Sequence, residues 1–319
     1  MVQLLWTQKQ DIGPAPRRQL DMVYDVAHKT VVLFGGFDTE FTNDTWEWNG
    51  ETWTQVQDIG PSARSQHSMA YDSVRGRVVL FGGFGTPGSF GDTWEWDGAD
   101  WTQVADTGPQ ARLGHAMTFD TARNRTILFG GAATGAGTLV ANTTFGDTWT
   151  WDGNEWIQEL DAGPRDRCFC RIAYDAKRDR VVLFGGHFFT PRTGRFPLNN
   201  YMNDTWEYDG TRWTHLADTG PEPRSFYGLA YDGAETLLFG GFGSGGANSV
   251  TANSVTWSWD GKFWTQRQDM GPSARWGMGM AHDSGRSRTV LFGGQNDKSG
   301  ANLGDTWELF SRLTLSPDR

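Results

Sequence analysis

The tetrapeptide Leu-Phe-Gly-Gly recurs six times, ending at Gly36, Gly83, Gly131, Gly186, Gly241 and Gly294. A second motif, Gly-Pro-x-x-Arg, recurs in step with it and ends at Arg17, Arg64, Arg112, Arg167, Arg224 and Arg275. The copies lie about 50 residues apart, a period that belongs to arrays, solenoids and propellers. A chain built this way folds one supersecondary unit six times. Each unit buries its apolar faces against its neighbours.

Every copy divides into four short strands. Strand a follows the arginine, as in SQHSMAYD at 65–72. Strand b is the apolar run that ends in the glycine pair, as in RVVLFGG at 77–83, and has the pattern of a buried strand. Strand c, as in DTWEWDG at 92–98, alternates indole and polar side chains with the period of two that strands show. Its Asp-Gly end signals a tight turn into strand d, centred on Trp101 to Gln103 in this copy. Proline then blocks further pairing, and glycine permits the bend back to the next strand a. Four antiparallel strands repeated six times predict a six-bladed, all-β propeller as one domain over residues 1–319. The ends predict how the ring closes. LLWTQKQDIGP at 4–14 nearly copies FWTQRQDMGP at 263–272, whereas no W-T-Q segment follows DTWELF at 305–310. The N-terminal strand should therefore complete the sixth blade and leave no open edge.

The repeated glycine pair, the aromatic of strand c and the tryptophan of strand d resemble kelch repeats over roughly residues 1 to 310. The resemblance implies the same propeller, with the b–c and d–a loops on its binding face. It implies no single activity, because kelch relatives include peptide-binding adaptors, iron-dependent specifier proteins, sugar-acid mutarotases and copper oxidases. The iron motif of the specifier proteins is half present: Glu40 and Asp44 match, but Trp48 stands where histidine is required.

Composition narrows the alternatives. A formal charge of −10, with no dense basic cluster, argues against nucleic acid. No apolar run of about 18 residues exists to cross a membrane, and no leader pattern opens the chain, so a cytoplasmic monomer is expected. The two cysteines, Cys168 and Cys170, sit too close together to staple a domain.

The b–c loops vary in length, and the long ones fall at 132–146, 187–203 and 242–254, in blades three to five. Binding residues concentrate on loops carried by a rigid scaffold. The blade-four loop is the most aromatic, with His187, Phe188, Phe189 and Tyr201 beside Arg192. The six motif arginines read first as scaffold ties to an acid, either the strand-c aspartate (Asp92, for example) or the acid preceding Gly-Pro (Asp58, for example). Blade five departs from the pattern. Val255 replaces the strand-c aspartate and Ser258 replaces the following acid, so Arg224 is a candidate for a ligand anion. Three residues past each arginine stand Leu20, His67, His115, Cys170, Tyr227 and Met278, at one level near the channel. Copper would accept several of these side chains. Yet the six surround a channel too widely to share one ion, so neither metal nor cofactor is expected.

These features predict a small-molecule site on the loop face over blades four to six. Phe188, Phe189, Tyr201, Phe226 and Trp276 would form its walls, with His187, Arg192 and Cys170 beside them. If the site is catalytic, Tyr227 or His115 would move the proton and Arg224 would stabilise developing charge, in a non-redox isomerase, cyclase or lyase reaction on an aromatic or apolar substrate bearing an anion. The alternatives are a propeller that binds a protein or peptide and one that binds carbohydrate.

Overall fold

The computed structural model describes residues 2–9, 12–134, 141–160, 162–190, 198–244, 250–268 and 270–313. Six four-stranded antiparallel sheets carry the fold. Blade one runs Asp21–Asp25, Thr30–Phe37, Phe41–Trp48 and Trp53–Gln57. Blade two runs Ser68–Asp72, Arg77–Phe81, Thr93–Trp96 and Trp101–Ala105. Blades three to five repeat this order, starting from Ala116–Asp120, Arg171–Asp175 and Gly228–Tyr231. Blade six comprises Gly279–Asp283, Arg288–Phe292 and Thr306–Leu313, and its outer strand is the N-terminal Val2–Gln8, paired from Val2↔Leu313 to Gln8↔Trp307. Each innermost strand contacts the next, and the sixth contacts the first, so the ring is closed.

Two contacts join every pair of neighbouring blades. The strand-d tryptophan packs against the strand-b phenylalanine of the preceding blade: Trp53 on Phe292, Trp101 on Phe34, Trp156 on Phe81, Trp213 on Phe129, Trp264 on Phe184 and Trp6 on Phe239, with ring centroids 5.1–5.3 Å apart. The same indole donates to a strand-c threonine of that blade, as in Trp101 to Thr45 at 2.9 Å and Trp6 to Thr256 at 2.9 Å. A buried indole thus fills the wedge between blades and keeps its N–H satisfied. The glycine of each Gly-Pro loop lets the backbone cross this ring closely. A Cβ on Gly60 would meet Trp101 at 2.8 Å.

Strand a begins later than the sequence pattern suggests, at Ser68 rather than residue 65. The reason is a left-handed residue two positions after each arginine. Gln19, Gln66, Gly114, Phe169, Phe226 and Gly277 have φ between 53° and 68°. That conformation interrupts the strand and turns the peptide across the channel. The six residues form a closed belt: each N–H donates to the carbonyl of the corresponding residue in the preceding blade, at 2.5–3.1 Å. The channel is therefore sealed on the b–c/d–a face. On the opposite face it opens as a cavity of about 450 Å³, lined largely by apolar side chains such as Met22, Met69, Met117 and Met280. The ion pair of Arg171 with Asp21, at 2.9 Å between blades four and one, lines that cavity.

Candidate functional site

The belt places the predicted catalytic groups beneath the loop face rather than on it. Tyr227 is 0% exposed. Its hydroxyl donates to the Phe184 carbonyl and accepts the Arg171 N–H at 3.0 Å, and burial pushes its pKa well up. It ties blade five to blade four, with its proton engaged by the Phe184 carbonyl. His115 is likewise buried, edge-on to Phe81. Desolvation, followed by the Arg112 and Arg171 charges, drives its pKa well below the ordinary imidazole value. Cys170 is buried too, its thiol pushed up to about 11 by burial. His115 and Cys170, together with His67, Leu20 and Met278, border a cavity of only about 30 Å³ under the belt, room for roughly one water. The general acid and base expected from the sequence thus lie buried below the belt rather than on the loop face. No set of three metal-ligating side chains comes together among the described residues.

The ligand-binding candidates fare differently. Phe226 and Phe169 carry the belt and stack over it with centroids 4.0 Å apart. Phe226 touches Trp276, Trp276 touches Phe242, Phe242 touches Tyr201, and Tyr201 touches His187. His187 in turn meets Phe189 and Phe169. The guanidinium of Arg18 lies over both Trp276 and Phe37, at 5.5 and 5.0 Å from their centroids, and Phe37, Phe41 and Phe84 continue the contacts onto blades one and two. Phe188 stands apart beneath the Arg165 guanidinium, 3.5 Å from its centroid. Arg192 lies outside the described residues. His187 is buried, with Nδ1 at 3.1 Å from the Ser225 hydroxyl, and burial lowers its pKa to about 3, so the ring is neutral. The sequence analysis named His187, Phe189, Tyr201, Phe226 and Trp276 of this run but not Phe169, Phe242 and Arg18. The left-handed glycines at two of the six belt positions were the available signal.

The arginines resolve the choice between the two acids. Arg17, Arg64, Arg112, Arg167 and Arg275 each form a two-pronged pair with the strand-c aspartate of their blade, Asp44, Asp92, Asp147, Asp204 and Asp305, at 2.5–2.9 Å. The same aspartate accepts the indole N–H of the tryptophan two residues on, at 2.6–2.7 Å. Burial would raise these carboxyls, but the arginine hydrogen bonds and charge outweigh it and hold them below their ordinary range. Arg224 keeps the scaffold half of the arrangement, donating to the Glu222 carbonyl at 2.9 Å and the Gly240 carbonyl at 3.0 Å. It is 3% exposed and pairs with no carboxylate among the described residues. Burial lowers its pKa to about 10. Asp218, the alternative partner, binds His215 instead, at 2.8 Å.

Comparison with known proteins agrees with this architecture. A model of the KLHDC2/KLHL20/DRC7 Kelch-repeats domain matches residues 1–156. No curated protein matches the sequence significantly. Among solved structures, one titled "Structure of YjhT" superposes with a TM-score of 0.71 at 14% identity, covering 94% of this chain and 99% of its own. At that identity the likeness speaks for the fold alone. The fold and repeats define a six-bladed β-propeller. Its fold is kelch-type, and the first 156 residues match a kelch-repeat model.

Proposed function

We propose that the protein is a ligand-binding propeller that holds the flat apolar body of a small molecule on the loop face, over blades four to six. The observation that carries this reading is the run of contacts above the sealed channel, ring to ring from Phe84 to Phe37, through the Arg18 guanidinium to Trp276, and ring to ring again to Phe189. Its members are half-buried rather than buried, apart from His187. A contiguous apolar surface of this kind on a rigid scaffold suits a planar ligand or partner. Stacking between the rings would orient the ligand, and the neutral His187 would add a polar contact without a charge. Binding rather than proton transfer is the favoured role, since Tyr227 and His115 are enclosed. Among the described residues no helix is long and apolar enough to cross a membrane.

Calorimetric titration with 2-naphthol, a flat uncharged probe, tests the reading. Phe226→Ala should weaken its binding about tenfold, the loss expected for one well-placed aromatic contact. Equal affinity in wild type and variant would exclude the aromatic floor as the site. Stronger binding of a neutral methyl glycoside would favour the carbohydrate reading instead.

A further inference from the structure

Blade five departs from the repeat at two strand-c positions, and the structure separates them. In blades two, four and six the acid at the position of Ser258 has two donors to serve. One is the second strand-c aromatic of the next blade: Trp151 donates to Glu95 at 3.1 Å and Trp259 to Glu207 at 3.0 Å. The other is an arginine of the a–b turn, as in Arg75 to Glu95 and Arg178 to Glu207. At Ser258 both donors are gone. The next blade presents Leu309, and the shortened turn at 232–235 carries no arginine. The small hydroxyl accepts Arg267 at 2.7 Å and the position is satisfied.

Val255 is different, because its donors remain. It sits immediately before Thr256, which pairs with Phe239 just as Thr93, next to Asp92, pairs with Phe81. The side chain therefore starts from the place where five blades carry an aspartate. The Asn253 side chain accepts the Val255 N–H at 2.9 Å, so the backbone is provided for. Arg224 and Trp257 are not. Arg224 Nη2 and the Trp257 indole N–H, which in the other blades meet one carboxylate oxygen, make no hydrogen bond among the described residues. An isopropyl group is also shorter than the aspartate side chain it replaces, and it carries no acceptor. Two donor groups held in place by a scaffold, one of them on an arginine that is 3% exposed, therefore lack the acceptor that this position supplies in the other blades.

We propose that the top of blade five is a binding hole for a carboxylate, which takes the place of the missing aspartate side chain between Arg224 and Trp257. Planar, two-pronged recognition by a guanidinium suits a carboxylate. A single positive charge within a frame that elsewhere encloses one aspartate fits a monoanion better than a phosphate dianion. This inference stands independently of the aromatic floor. The two lie close, since Ser225, between Arg224 and Phe226, pairs with Phe242 of the floor.

The test is thermal melting of the whole chain in sodium acetate against sodium chloride at equal ionic strength, with an N-acetylated, C-amidated Ala-Asp-Ala peptide as a third arm. A ligand that binds only the folded state raises the melting temperature by mass action. Wild type should show a saturable rise with acetate and little with chloride. Val255→Asp should melt higher than wild type in chloride and lose the acetate response, because the site is then filled from within. Phe226→Ala should keep the response, which separates this site from the aromatic floor. A response to the peptide at lower concentration than acetate assigns the carboxylate to an acidic side chain of a partner, and a response to acetate alone assigns it to a free acid. Equal effects of acetate and chloride, or an acetate response that survives in Val255→Asp, would overturn the proposal.

Discussion

Asp92→Val should destabilise the protein by about 3–5 kcal/mol, the cost of removing one partner from a buried ion pair. The substitution copies the blade-five arrangement into blade two. It would leave Arg64, 0% exposed, without the two bonds of 2.7 and 2.8 Å to Asp92, and Trp94 without its acceptor. In a chain of this length such a loss lowers the melting temperature by about 4–8 °C. Arg224→Met should have little effect or raise stability, because it removes a buried charge that has no carboxylate to lose. Acid should erase the difference between wild type and Asp92→Val. The folded-state pKa of Asp92 lies below its unfolded value of about 3.9. Its stabilisation is therefore complete above that pH and disappears as pH falls through the folded pKa. Urea unfolding of wild type and variant at pH 7 and at pH 2.5 measures both effects. A gap that is as wide at pH 2.5 as at pH 7 would mean that the carboxylate charge does not provide the stability.

Removing residues 1–9 should have the largest effect of all. The deletion takes the outer strand from blade six, exposes the hydrogen-bonding edge of Thr306–Leu313 and withdraws Leu4 and Trp6 from a cluster that includes Phe239, Met280 and Leu309. It also breaks the Trp6–Thr256 bond between blades six and five. Truncating one buried leucine costs about 2–5 kcal/mol and a tryptophan about 3–5 kcal/mol. Together these approach the whole stability of an ordinary domain, about 5–15 kcal/mol. The shortened chain should lose its cooperative melting transition and associate through the freed edge in size-exclusion chromatography. A monomer that melts near the wild-type temperature would show that the ring does not need this closure.

The repeat made the fold legible. Motif spacing located the blades, and the misplaced W-T-Q segment near the N-terminus revealed the shared sixth blade, because both are periodic properties that one sequence displays. The belt was harder to see. Left-handed φ at Gln66, Phe169 or Phe226 leaves no mark in the side chain, and only Gly114 and Gly277 hint at it. That omission explains the misplacement of Tyr227 and His115. Both stand at the expected level of the channel, but a ring of backbone hydrogen bonds closes the channel above them. The blade-five anomaly was visible as two lost acids, and the sequence could not rank them. Whether a lost acceptor matters depends on whether its donors were lost too, and those donors lie in the next blade and in the a–b turn for Ser258 and across the same blade for Val255.

A crystal structure of the protein grown in sodium acetate tests the central claim most directly. The predicted result is planar carboxylate density about 3 Å from Arg224 Nη2 and the Trp257 indole nitrogen, with the aspartate occupying that place in each of the other five blades. Finding the Arg224 and Trp257 donors satisfied by groups of the chain itself, with no bound carboxylate, would contradict it.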